Sequence, residues 1–323
     1  MRRREFITTL GGVAATVAWP LAARAEQMPV LGFLNPLPGA EAIPDLIAAF
    51  QRGLAEAGFQ EGKNLAIEYR FTNFKPELMQ RAASDVVRRK VNVIFAATPE
   101  AGAAARNATT SIPIVGIDLE SDPVAMGYVK TLARPGGNFT GMFLDLPELS
   151  GKQIGLLKEI VPQLSHIAVF GIPGLNAAQF AATAAVVKAV AVEAEIIKVQ
   201  VPDDWERALE AAKITRVEAG ILLSSPLVFN SSKQIGELAL AKRLPLISLF
   251  AEFPKSGGLI AYGPNVAEIF QRSGVTSGKS CTVPSQMTYR YSGRRSSIWS
   301  STSRRPKHSA SPFRTTYSCS PTK

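Results

Sequence analysis

The chain has 323 residues and a net charge of +10, but the charge is segregated: residues 1–25 sum to +3 and residues 275–323 to +9. Residues 26–274 hold 23 basic against 25 acidic groups, so the body of the protein offers no basic field for a phosphate backbone, and nucleic acid is excluded as its partner. The two cysteines, Cys281 and Cys319, lie in the last segment and the two histidines, His166 and His308, are far apart, which excludes a thiolate or histidine metal centre and a cysteine nucleophile in residues 26–274.

Residues 1–25 combine a basic start, an apolar run and Ala23-Arg24-Ala25 before Glu26. This is the pattern of an export signal rather than of a membrane span. Arg3-Arg4-Glu5-Phe6-Ile7 resembles the twin-arginine type. The mature chain is therefore expected to begin near Glu26 and to work in the periplasm.

Residues 26–274 alternate between strand and helix patterns. Residues 29–34 read as a strand. Residues 45–57 place Leu46, Ile47, Phe50, Leu54 and Ala57 on one helical stripe, with Gly58 as a C-terminal cap. A strand at 64–71, a helix at 77–90, a strand at 91–97, a helix at 99–108 and a strand at 112–118 follow. After a connecting segment the alternation resumes with a helix at 153–160, a strand at 166–171, a helix at 177–193 and a strand at 195–201. It continues with a helix at 205–217, strands at 220–225, 244–249 and 257–263, a helix at 232–242, and a last helix from about Asn265. His166 begins a strand and reads as an edge or core residue. Two successive runs of this kind predict an α/β fold with two open α/β lobes, 26–140 and 141–274. Ligands in such sheets bind beyond the carboxyl ends of the strands, so facing lobes create a cleft.

Several stretches in order carry a resemblance: AGFQEGKN (57–64), ATPEAGAAARNATTSIPIV (97–115), SDPVAMGYVKTLARPGGNFTG (121–141) and GGLIAYGPN (257–265). Together they are similar to the ABC-transporter substrate-binding family, over nearly all of residues 29–274. The resemblance implies the periplasmic-binding-protein type of fold, a small-molecule solute held in the cleft, and an ABC permease in the inner membrane as partner. It implies no cofactor and a monomer, and an amino acid, aromatic or branched, as the solute. Where the family has Gly-Asp-Pro-Val and Ser-Tyr-Gly, this chain has Ser121-Asp122-Pro123-Val124 and Ala261-Tyr262-Gly263. A solute sensor with another membrane partner, or an enzyme on the same scaffold, are the alternatives; no GxSxG, HExxH or GxGxxG occurs in the right context.

Candidate ligand contacts are Asn35, Thr98, Asp118 and Asp122 from the first lobe, and Asn176, Ser224, Ser225, Glu252 and Tyr262 from the second. Thr98 either caps the following helix or presents a hydroxyl to a ligand carboxylate. Asp118 closes a strand near the cleft mouth or caps a turn, and Asp122 fixes a turn or receives a ligand amine. Ser224 and Ser225 face the cleft mouth or act as caps, and Tyr262 contacts ligand or packs between lobes. Pro135, Gly136, Gly137 and Asn138 read as a hinge feeding a connecting strand at 139–143, or as a tight surface turn.

Residues 272–281, RSGVTSGKSC, imitate a phosphate loop, but only three residues separate Gly274 from Gly278, and the preceding segment is helical. Residues 275–323 hold 13 Ser, nine basic groups and no acid, a composition expected to be disordered. Shifting residues 278–284 by one base yields Lys-Ile-Leu-His-Gly-Ala, and residues 295–303 yield an alternating strand. Both phrases are family-like, so a frameshift after about residue 274 is expected.

Overall fold

The computed structural model describes residues 28–131, 136–282 and 297–301. The expected export signal, Pro135, Cys319, His308 and most of the basic tail lie outside the described residues. The first sheet contains β1 (Val30–Asn35), β2 (Ala66–Phe71), β3 (Val93–Ala96), β4 (Ile114–Asp118) and β5 (Phe139–Phe143), interleaved with helices α1 (Pro44–Glu56), α2 (Pro76–Arg88) and α3 (Pro99–Ala108). All strands run parallel in the order β2-β1-β3-β4-β5, with Leu31 opposite both Ile67 and Val93. Alternation along each strand separates two faces. Leu31, Phe33 and Phe95 meet Phe50 and Leu54 of α1, whereas Leu34, Ile94 and Ala96 meet Met79 and Val86 of α2 and Ala101 and Ala105 of α3. The Phe50 and Phe95 rings stack with centroids 4.4 Å apart.

The second lobe comprises α4 (Leu146–Ile160), β6 (His166–Gly171), α5 (Ala177–Ala189), β7 (Glu193–Lys198), α6 (Asp204–Ile214), β8 (Ala219–Leu222), α7 (Pro226–Asn230), α8 (Ser232–Lys242), β9 (Leu246–Ser248), α9 (Glu252–Lys255) and β10 (Ile260–Pro264). Helix α10 (Val266–Thr282) and strand β11 (Ser297–Ser301) follow. Strand order is β11-β10-β9-β8-β6-β7; β11 alone is antiparallel to its neighbour.

Four expectations are corrected. Helix α4 starts seven residues before the expected Gln153, because Asp145 accepts a hydrogen bond from the Glu148 N–H at 3.2 Å and Pro147 fits the first turn. Helix α5 stops at Ala189, short of 193, where Ala191 turns into the left-handed region with φ +53°.

The expected connecting strand is corrected as well: β5 pairs along its whole length with β4, from Ile114 opposite Phe139 to Asp118 opposite Phe143, and so belongs to the first sheet. Asn138 donates its side-chain amide to the Ile112 carbonyl at 2.8 Å and the Thr109 carbonyl at 3.3 Å, tying Gly136–Asn138 to the first lobe as a turn. Gly136, at φ +75°, holds a conformation suited to glycine.

Residues 275–282 are not disordered as their composition predicts. Helix α10 continues through Thr282, so the apparent phosphate loop is helical and offers no anion-binding loop. Asn265 accepts from the Glu268 N–H at its start, and the helix then leaves the second sheet to pack on the first, where Phe270 sets its ring edge on Phe95 at 5.6 Å. Burying that face is what orders residues whose composition alone predicted disorder.

Candidate solute-binding site

The carboxyl ends of both parallel sheets bring their loops together. In the first lobe, Asn35 ends β1, and its Oδ1 accepts from the Leu37 N–H at 2.9 Å. Thr98 caps α3 by accepting from the Ala101 N–H at 3.3 Å. Asp118 ends β4 fully buried and accepts from the backbone N–H groups of Ser121 (2.7 Å) and Glu120 (3.1 Å) and from the Ser121 hydroxyl. Burial raises its pKa against those bonds. Asp122 accepts from the Val124 and Ala125 N–H groups at 2.9 and 3.2 Å, as a turn cap.

Glu120, absent from the candidate ligand contacts, is buried where the two lobes meet. Its Oε2 accepts from the Leu119 N–H at 3.1 Å, and its Oε1 accepts from the Ser224 hydroxyl at 2.7 Å. Burial, reinforced by the adjacent Asp118 charge, pushes the Glu120 carboxyl up to about 8.

In the second lobe, Ser224 follows β8 and is held from two sides. Asn176 donates to its carbonyl at 2.7 Å, while Gln179 donates to the same carbonyl at 3.1 Å and accepts from the Ser224 N–H at 2.8 Å. Asn176 Oδ1 also accepts from the Ile172 N–H at 2.6 Å, so its amide is occupied as a brace. Gln179 was missed; its signal is the position one helical turn after Asn176. Ser225 caps α7 through the Val228 N–H at 3.1 Å. The Tyr262 carbonyl accepts from Gln153 at 3.1 Å, and its ring packs half-buried on the second-lobe core beside Ile154 and Ile260.

Three buried oxygens near strand ends have no hydrogen-bond partner: Thr72 Oγ1 after β2, Glu100 Oε1 after β3 and Glu252 Oε2 after β9. Burial also raises the Glu100 pKa, with Glu77 adding to the effect. Next to Glu252, Phe250 meets Phe229 of α7 edge to face, with centroids 5.1 Å apart. Among the described residues, no group of three His, Cys, Asp or Glu could hold a metal ion.

This arrangement defines a two-lobed binding protein, with polar groups and aromatic walls at the facing strand ends. Residues 40–281 match the model of the ABC transporter substrate binding protein family, and the chain belongs to that family. Among similar proteins, a tyrosine-binding protein of Clostridioides difficile is 33% identical over 122 residues, which make up 37% of this chain and 34%, about a third, of that relative. A structure from Streptococcus pneumonia, an ABC domain in complex with L-Trp, superposes with a TM-score of 0.71 at 16% identity, covering 81% of this chain and 88% of the other. A conserved domain protein from Vibrio cholerae gives 0.69 at 21% identity, covering 78% and 83%. These two structural likenesses extend to the fold.

Proposed function

We propose that this binding protein takes an amino acid with an aromatic or branched side chain between its lobes and delivers it to an ABC permease in the inner membrane. The carrying observation is the unpaired buried Oε2 of Glu252, just after β9. A buried acceptor without a donor is costly, and a solute ammonium supplies that donor. The Phe229 and Phe250 rings beside Glu252 suit an apolar side chain. The solutes of two relatives, tyrosine for the Clostridioides difficile protein and L-Trp for the Streptococcus structure, agree in chemistry. In this reading Thr98, Ser225, Asn35 and Asp122 shape the site as caps, and Glu252 is the principal ligand contact.

Calorimetric titration with L-tyrosine, L-tryptophan and L-leucine tests the proposal. Saturable binding is expected for at least one, weakened about 10- to 100-fold by Glu252→Ala, the effect of losing a charge-assisted hydrogen bond. Absence of binding for all three, or full affinity in Glu252→Ala, overturns it.

A further inference from the structure

Glu120 and Ser224 lie 104 positions apart, on different lobes, yet share a buried 2.7 Å hydrogen bond. Ser224 cannot move alone, because Asn176 and Gln179 fix its carbonyl and N–H. Glu120 cannot serve as a free ligand acceptor as Glu252 can, because both its oxygens are engaged. Parting the lobes would return this carboxyl and hydroxyl to water, and closing them buries the pair.

We infer that Glu120 and Ser224 are the clasp that holds the lobes shut, and that the Glu120 carboxylate takes one proton from solvent as they close. The inference rests on the reading that these lobes close over a solute. The groups facing Glu120 leave its negative charge uncompensated. From its own loop come Asp118, another acid itself influenced by Asp122, and the Leu119 N–H; from the second lobe comes the neutral Ser224 hydroxyl, and none of these is a cation. A lone carboxylate in such a setting is more stable protonated. In the parted state it is hydrated and reverts toward ordinary acidity. Solute affinity therefore falls as pH rises between the ordinary carboxylate range and about 8, by up to about tenfold per pH unit for one proton.

Small-angle scattering of the full-length chain without solute, at pH 6 and pH 9.5, tests the clasp directly. The wild type is expected to be more compact at pH 6. Glu120→Gln, which mimics the protonated carboxyl, is expected to stay compact at both values, and Ser224→Ala to be expanded at both. An identical wild-type profile at both pH values, or an unchanged pH response in Glu120→Gln, overturns the inference. Calorimetry with L-tyrosine in buffers of different ionisation enthalpy then reads the solute separately. Uptake of a proton by the wild type that is absent from Glu120→Gln supports the clasp. No binding heat alongside an intact scattering response counts against the solute reading and supports the clasp.

Discussion

Gly274 of α10 rests on the main chain of α1 at Phe50: a Cβ on Gly274 would stand 2.1 Å from the Phe50 carbonyl oxygen. The contact is reciprocal, since a Cβ on Gly53 would stand 1.8 Å from the Gln271 carbonyl oxygen. The last helix therefore seats on the first lobe through glycine faces that admit no side chain. Gly274→Ala is expected to lower the unfolding free energy by about 1–3 kcal/mol through overpacking. Gly155→Ala, in α4 with nothing within 4 Å of the added carbon, should raise it by about 0.5–1 kcal/mol, the helix preference of alanine over glycine. Denaturant midpoints measure both, and equal effects would remove the packing argument.

The buried stripe of α10 carries Phe270, Ser273, Ser277 and Ser280. Ser273 and Ser277 bury hydroxyls with no partner, in a face that elsewhere presents Phe270 to the core. An apolar side chain would fit this stripe better; Ser277 lies in the segment expected to be read out of frame, whereas Ser273 precedes it. Ser277→Ala is expected to stabilise the protein by about 1–3 kcal/mol, the range for a buried hydroxyl left unpaired. A thermal or denaturant shift in the other direction would mean that Ser277 has a partner in solution.

The sheet-and-helix alternation was legible because central strands such as β3 and β4 are continuous apolar runs, buried at every position. The early start of α4 was legible too, in Asp145 followed by Pro147 and Glu148, but a search for apolar periodicity passes over a cap. β5 was misassigned as a connector because five residues reveal nothing of which sheet they join. Pairing with β4 is a long-range fact. The order of residues 275–282 was hidden for a related reason: their helix is held by contact with α1, more than 200 residues earlier in the chain. Among the candidate site residues, strand-end position placed Asp118 and Ser224 where their strands end. It could not separate Asn176, a saturated brace, from Glu252, whose Oε2 is unpaired.

That distinction is measurable. Asn176→Asp keeps the acceptor for the Ile172 N–H but loses the donor to the Ser224 carbonyl and sets two acceptors against each other. It should destabilise the fold by about 1–3 kcal/mol, whereas Glu252→Gln should leave stability within about 0.5 kcal/mol of wild type, as for a substitution that breaks no internal bond. If Asn176→Asp melted like wild type while losing only solute affinity, Asn176 would be a ligand contact after all.

The raised acidity of Glu120 also fixes the sign of a pH effect on stability. Its folded pKa of about 8 lies above the ordinary 4.5, so the folded protein binds a proton that the unfolded chain has released between these values. Stability from this group is greatest near or below pH 4.5, declines as pH rises, and is exhausted above about 8. Half-buried Asp85, held down to about 2 by Arg70 and Arg88, works in the opposite sense: its contribution is present above the ordinary carboxylate range and lost as pH falls toward 2. Between pH 5 and 8, where Asp85 stays ionised, the melting temperature of the wild type should therefore fall with rising pH. Glu120→Gln, which cannot ionise, should flatten that slope while keeping an acceptor for the Ser224 hydroxyl. Melting curves at half-unit pH steps for both proteins measure the difference, and parallel slopes would show that Glu120 titrates normally in the folded state.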